Sequence, residues 1–111
     1  MEEIIIYLIG EITKLTMKLN NKCEDDFFVR YSGHTNGFEL FYVEDGYREN
    51  ENVEQKNLLF LFIKNTEEDV RKLEGAKKLL LNKLENKNEP LKKVQNQKNK
   101  NRYGLPSVSP L

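Results

Sequence analysis

DFFVRYSGHTNGFELFYVED (residues 26–45), GYRENENVEQKN (46–57) and LLFLFI (58–63) hold nine of the eleven Phe and Tyr residues of this 111-residue chain. The dipeptide Asn36-Gly37 decides how they are read, because a two-residue type I′ hairpin turn needs positive φ at both central positions and Asn-Gly supplies it best. With that turn, Thr35 pairs with Phe38, Gly33 with Leu40 and Tyr31 with Tyr42. Phe27, Val29, Tyr31, Phe38, Leu40 and Tyr42 then share one face, apolar enough to be core. Phe28, Arg30, Ser32, His34, Glu39, Phe41 and Val43 share the other, and His34 stands directly across from Glu39. Side chains alternate with a period of two, so a one-residue slip would exchange the two faces.

Beyond the hairpin, residues 44–57 read as a long acidic connection or a ragged extension of the strands. Leu58–Ile63 is apolar at every position, the pattern of a strand covered on both sides. On the N-terminal side, Ile5, Leu8, Ile12, Leu15 and Leu19 recur at spacings of three and four and predict a helix over residues 2–20. The β-branched run Ile4–Ile6 would also suit a short strand, but periodicity sustained to Leu19 favours helix. Gly10 inside it suggests a close helix–sheet contact. On the C-terminal side Asn65 or Thr66 can cap a second helix with Glu68 or Asp69 three residues on. Val70, Leu73, Ala76, Leu80 and Leu84 form its stripe, and Glu67–Arg71, Glu68–Lys72 and Glu74–Lys78 are spaced for i,i+4 pairing. It should fray near Asn86. The expected fold is α+β, an α-β-β-β-α domain over residues 1–86 in which a three-stranded antiparallel meander is flanked by two helices. Residues 87–111 are polar and basic and are expected to be a disordered tail.

Charge follows the same division. Residues 1–86 carry 12 Lys/Arg against 17 Asp/Glu, and residues 87–111 carry 6 against 1, so a body of −5 bears a tail of +5. Cys23 is the single cysteine, which excludes an intrachain disulfide and suits a reducing, cytoplasmic compartment. The N-terminus lacks the pattern of a signal peptide and no run approaches the length of a membrane span, so no membrane partner is expected.

Ser32, His34 and Glu39 are the residue types of a nucleophile, a base and its orienter. Alternate strand residues lie about 7 Å apart, too far for a Ser–His hydrogen bond, and no nucleophile elbow or oxyanion loop accompanies them. The plain reading is a solvent-facing cross-strand pair, and no catalytic residue is assigned. Cys23, Asp25, Asp26 and His34 lack a second thiol or imidazole at ligand spacing, so no metal is expected. Glu24-Asp25-Asp26 reads as a solvated entry to the first strand. The six glycines are scattered, and no phosphate-cradling pattern, cofactor or small-molecule substrate is implied.

What remains is binding. Phe28, Arg30, His34, Glu39, Phe41 and Val43 on the second sheet face mix aromatic with charged residues, a composition common at interfaces. Glu44, Asp45, Glu49, Glu51 and Glu54 on the following connection could engage a basic groove on a partner. These are the candidate protein-contacting residues, the partner being another protein or a second copy of the chain. The alternative is nucleic acid held by Lys92, Lys93, Lys98, Lys100 and Arg102. The α-β-β-β-α order, with Ser32-Gly33-His34 in the first turn region and Gly75-Ala76-Lys77-Lys78-Leu79-Leu80 in the last helix, resembles a double-stranded-RNA-binding domain. That resemblance implies a lysine cluster at the start of the last helix, docked on phosphates. This chain has Thr66-Glu67-Glu68-Asp69 there, which repels phosphate.

There are 14 Lys to 4 Arg and a single alanine, Ala76. In size, Asn/Lys bias and isolated meander the chain is similar to the small orphan accessory proteins of phages of low-GC Gram-positive bacteria. That likeness implies a non-enzymatic modulator, in some cases an inhibitor, acting in the host cytoplasm.

Overall fold

The computed structural model describes residues 1–48 and 51–86. It contains helix α1 (Glu2–Asn20), strands β1 (Asp26–Ser32), β2 (Gly37–Val43) and β3 (Gln55–Phe62), and helix α2 (Glu67–Glu85). The strands form one antiparallel sheet in the order β1-β2-β3, so the expected α-β-β-β-α architecture is the one observed.

The stripe read from the sequence of α1 is the one it buries: Ile5, Leu8, Ile12, Leu15 and Leu19 all enter the core. Gly10 does not make the close contact expected of it. It lies on the solvent side, and a Cβ there would meet nothing within 4 Å. The helix is tied to the sheet by Asn20, whose Nδ2 donates to the Phe27 carbonyl at 3.0 Å while its Oδ1 accepts from the Phe27 N–H at 2.7 Å. One side-chain amide thus satisfies both backbone groups of a strand residue, as a neighbouring strand would.

α2 starts with a full capping box. Thr66 Oγ1 accepts from the Asp69 N–H at 3.2 Å, and Asp69 Oδ2 accepts from the N–H groups of Thr66 at 3.3 Å and Lys64 at 2.7 Å. Leu73, Ala76 and Leu80 are fully buried on its inner side, with Val70 and Leu84 packed at the edge of the core. Of the three i,i+4 pairs expected among these described residues, Glu68–Lys72 forms, at 3.6 Å.

Both helices lie on the same face of the sheet and against each other. Their stripes join Phe27, Phe38, Leu40, Tyr42, Leu58, Leu59 and Leu61 in one core cluster. Phe27 and Tyr42 stack within it at 5.6 Å between ring centroids. A helix of this kind has one apolar stripe and can cover one surface. With both stripes committed to the same face, the other face carries no helix among the described residues.

The hairpin differs from its expected form. Ser32 pairs with Gly37, Tyr31 with Phe38 and Arg30 with Glu39, so a four-residue loop, Gly33–Asn36, replaces the two-residue turn. Asn36 alone takes positive φ, at 57°. Its side chain explains why: Oδ1 accepts from the Tyr31 hydroxyl at 2.6 Å, and Nδ2 donates to the Ile63 carbonyl at 3.0 Å. The new register is shifted by an even number of residues, so the two faces keep the membership read from the sequence while the cross-strand partners change. Tyr31 is the one expected core residue left outside, 56 % exposed beyond the helices' cover.

β3 begins earlier than its apolar run, at Gln55. Leu40 pairs with Leu59 but Phe41 with Asn57, which leaves Leu58 as the extra residue of a bulge. A bulge turns an additional side chain toward one face, and Leu58 and Leu59 are both buried. The unbroken apolar run therefore reflects a bulge and an aromatic outer face, and not a strand covered on both sides.

Candidate binding face of the sheet

The helix-free face is built from alternate residues of three strands. In one row across the sheet Phe28 pairs with Phe41 and Phe41 with Asn57, and in the next Arg30 pairs with Glu39 and Glu39 with Phe60. Phe28 and Phe41 stack nearly parallel at 5.0 Å. The Arg30 guanidinium lies 5.0 Å from the centre of the Phe41 ring and donates to Glu39 Oε1, with Nη2 at 2.8 Å and Nε at 3.1 Å. Cation–π attraction and a charge-assisted hydrogen bond together hold this side chain over the ring. Phe41 is covered by these contacts, and both it and Val43 are buried although they belong to the outer face.

Farther along, toward β3, the face opens. Phe60 and Phe62 meet edge to face at 4.8 Å, and each remains 51 % exposed. Neither was among the residues expected to bind. Their signal was present in LLFLFI, where Leu59 and Leu61 occupy one parity and Phe60 and Phe62 the other, the segregation of a strand with two different neighbours.

The other expected residues are dispersed. His34 lies exposed in the hairpin loop, one position from Gly33, and does not face Glu39, which Arg30 holds instead. The register shift separates them, and the Ser32–His34–Glu39 constellation does not assemble.

The acidic connection is bound into the domain at several points. Glu44 pairs with Lys56 at 3.3 Å and Glu51 with Arg48 at 2.8 Å. Asp45 and Gly46 turn the chain with φ of 62° and 92°, and Glu54 is exposed. Glu49 and the tail residues Lys92, Lys93, Lys98, Lys100 and Arg102 lie outside the described residues.

The run expected to be a solvated entry has a structural task. Asp25 is 1 % exposed; its Oδ1 accepts from the Asp45 N–H at 2.9 Å, and its Oδ2 is buried without a hydrogen-bond partner. Asp26 Oδ2 accepts from the Tyr47 N–H at 2.7 Å. Together they pin the turn after β2 to the start of β1. Burial raises the Asp25 pKa, opposed by the Asp45 N–H and by the positive charge of buried Lys83. Burial likewise pushes the Tyr42 phenol upward, with Glu44 and Asp25 adding to it.

Among the described residues no group of carboxylate, imidazole and thiol side chains is placed to hold a metal ion, and no helix is long and apolar enough to cross a membrane. Comparison with protein-family models, curated proteins and solved structures gave no match.

Proposed function

We propose that the chain is a non-enzymatic protein-binding module that docks through the helix-free face of its sheet. The observation that carries this reading is the half-exposure of Phe60 and Phe62 beside the stacked Phe28–Phe41–Arg30 group. Large aromatic side chains on a stiff scaffold give up little conformational freedom on binding, and such rings dominate interface energetics. The Arg30–Glu39 pair leaves the face without net charge, which favours an apolar protein surface over phosphate. The acidic first turn of α2, Glu67, Glu68 and Asp69, likewise speaks against a double-stranded-RNA mode of binding. The small size and Asn/Lys-rich composition support placing the module among phage-type accessory proteins that modulate a host protein, inhibition included, in the host cytoplasm.

Cross-linking of the full chain to captured proteins in nuclease-treated host lysate, with linkage sites mapped by mass spectrometry, tests the reading. Linkages should cluster on β3 and the outer face and disappear for Phe60→Ser/Phe62→Ser. Capture that persists in this double variant, or that nuclease abolishes, would refute it.

A further inference from the structure

Among the described residues β1 and β3 are the two edge strands of the sheet, and their edges differ. β1 carries Asp26 and Arg30 near its two ends, charged side chains of the kind that discourage strand addition, whereas the one charge of β3, Lys56, sits at its start and pairs with Glu44, and Leu58–Phe62 carries neither charge nor proline. An exposed, apolar edge strand is an invitation to pairing that folded proteins ordinarily block.

The direction of its backbone groups follows from the ladder. The Ile63 N–H donates inward to the Asn36 carbonyl at 2.9 Å. Inward and outward groups alternate along an antiparallel strand, and between Leu59 and Phe62 the register to β2 is unbroken. Leu61 and Leu59 therefore bond to β2, while the N–H and C=O groups of Phe60 and Phe62 point away from the sheet. The same two residues present half-exposed rings on the outer face. Beside this edge lies a cavity of about 500 Å³, lined by Phe60, Leu61 and Phe62 and walled by Lys64, Glu68, Asp69 and Lys72.

We propose that a second copy of this chain occupies that edge, its β3 pairing antiparallel with β3 about a two-fold axis near Leu61 to make a continuous six-stranded sheet. This rests on the reading of the outer face as a protein-binding surface and adds a second copy of the chain as the occupant of its β3 edge. The pairing sets Phe60 of one copy across from Phe62 of the other, so four rings form one aromatic row. Charge favours a copy over a strongly basic or acidic partner. The cavity walls carry two lysines and two acids and Arg30 and Glu39 neutralise each other, so the contacting patch is balanced although residues 1–86 together sum to −5. Four half-exposed Phe side chains supply about 400 Å² of aromatic surface. That is below the ~1,200 Å² of a stable interface, so backbone pairing and the cavity walls must contribute, and the dimer should be concentration-dependent.

The test is analytical ultracentrifugation of the full chain across a concentration series, comparing wild type, Phe60→Ala and Phe60→Pro. Proline is tolerated on an edge strand where the lost N–H faces outward, so the two variants differ mainly in an outward hydrogen bond. Phe60→Ala should weaken the dimer, and Phe60→Pro should weaken it by about tenfold more, one N–H being lost from each copy. Amide exchange supplies a measurement that needs no variant: the Phe60 and Phe62 amides of the wild type should slow as concentration rises, while those of Leu61 and Ile63 should not.

A monomer at every concentration, with no change in exchange, overturns the dimer and leaves the binding-face reading to its own test. Equal weakening by alanine and proline overturns edge pairing but keeps the aromatic face. A dimer indifferent to both variants, or one dissolved by salt, overturns both.

Discussion

Replacing Asn36 and Gly37 by alanine, one at a time, separates the turn this protein contains from the turn its dipeptide suggests. A type I′ turn needs positive φ at both positions, and both substitutions would then be costly. Of these two residues only Asn36 is left-handed in the structure, at φ 57°. For alanine that conformation costs roughly 1 kcal/mol. The substitution also deletes the bonds to the Tyr31 hydroxyl and the Ile63 carbonyl. Both are exposed, so together they are worth about 1 kcal/mol, the low end of the usual range. Asn36→Ala should therefore destabilise by about 2 kcal/mol, which lowers Tm by roughly 10 °C for a domain of this size. Asn36→Gly removes the strain but not the lost bonds and should cost about half as much.

Gly37 is a strand residue without positive φ, and a Cβ there meets Thr35 Oγ1 at 3.1 Å and the Phe62 ring at 3.7 Å. The hydroxyl sits on a loop side chain that can rotate, so Gly37→Ala should stay within about 1 kcal/mol of the wild type, helped by the smaller entropy of the unfolded chain. Urea midpoints at unchanged m-value are the assay. If Gly37→Ala proves as damaging as Asn36→Ala, or Asn36→Gly is no milder than Asn36→Ala, the assigned loop geometry is wrong.

Two further expectations concern single interactions. Burial lifts the native pKa of Asp25 above its ordinary 3.8, so the folded state holds this proton more tightly than the unfolded chain does. The group's contribution to stability is full below about pH 3.8 and is lost as pH rises through the native pKa. Asp25→Asn keeps an acceptor for the Asp45 N–H and cannot titrate. Its stability relative to the wild type should therefore climb as pH rises above 3.8 and then level off; a flat or falling difference in pH-series denaturation would contradict the burial argument. Thr66→Ala breaks the capping box of α2 and should cost about 1 kcal/mol, read as a lower urea midpoint, with Thr66→Ser restoring most of it. Equal losses for alanine and serine would mean that the hydroxyl bond to Asp69 is not what stabilises this helix end.

The candidate face was partly legible in the sequence. Phe28, Arg30, Glu39, Phe41 and Val43 were placed on the outer face by alternation in the register of a two-residue turn, and they are there because the actual register differs from it by an even number of residues. Their roles were not legible, because Phe41, under its stacking and cation–π contacts, and Val43 are both buried, which leaves the exposed aromatic surface to Phe60 and Phe62. Those two were concealed within an apolar run whose meaning depends on the bulge at Leu58. Asp25 was read as solvated because an acidic triplet ordinarily is. Its burial depends on a turn twenty residues away, at Asp45.

By itself the sequence determined whatever is periodic or short-ranged: both helices, a cap at Asn65 or Thr66, the number of strands, and the alternation of side chains along each strand. These depend on neighbours a few residues apart, whose geometry the backbone imposes. Tertiary structure decided the hairpin's register, because Asn36 bonds to Ile63 across 27 positions of sequence. It decided the burial of Asp25 in the same way. It also decided that both helices cover one face, since their stripes pack on each other as well as on the sheet. A stripe on a helix declares that it will be buried but not on which side of a sheet, and here that choice leaves Phe60 and Phe62 open to a partner.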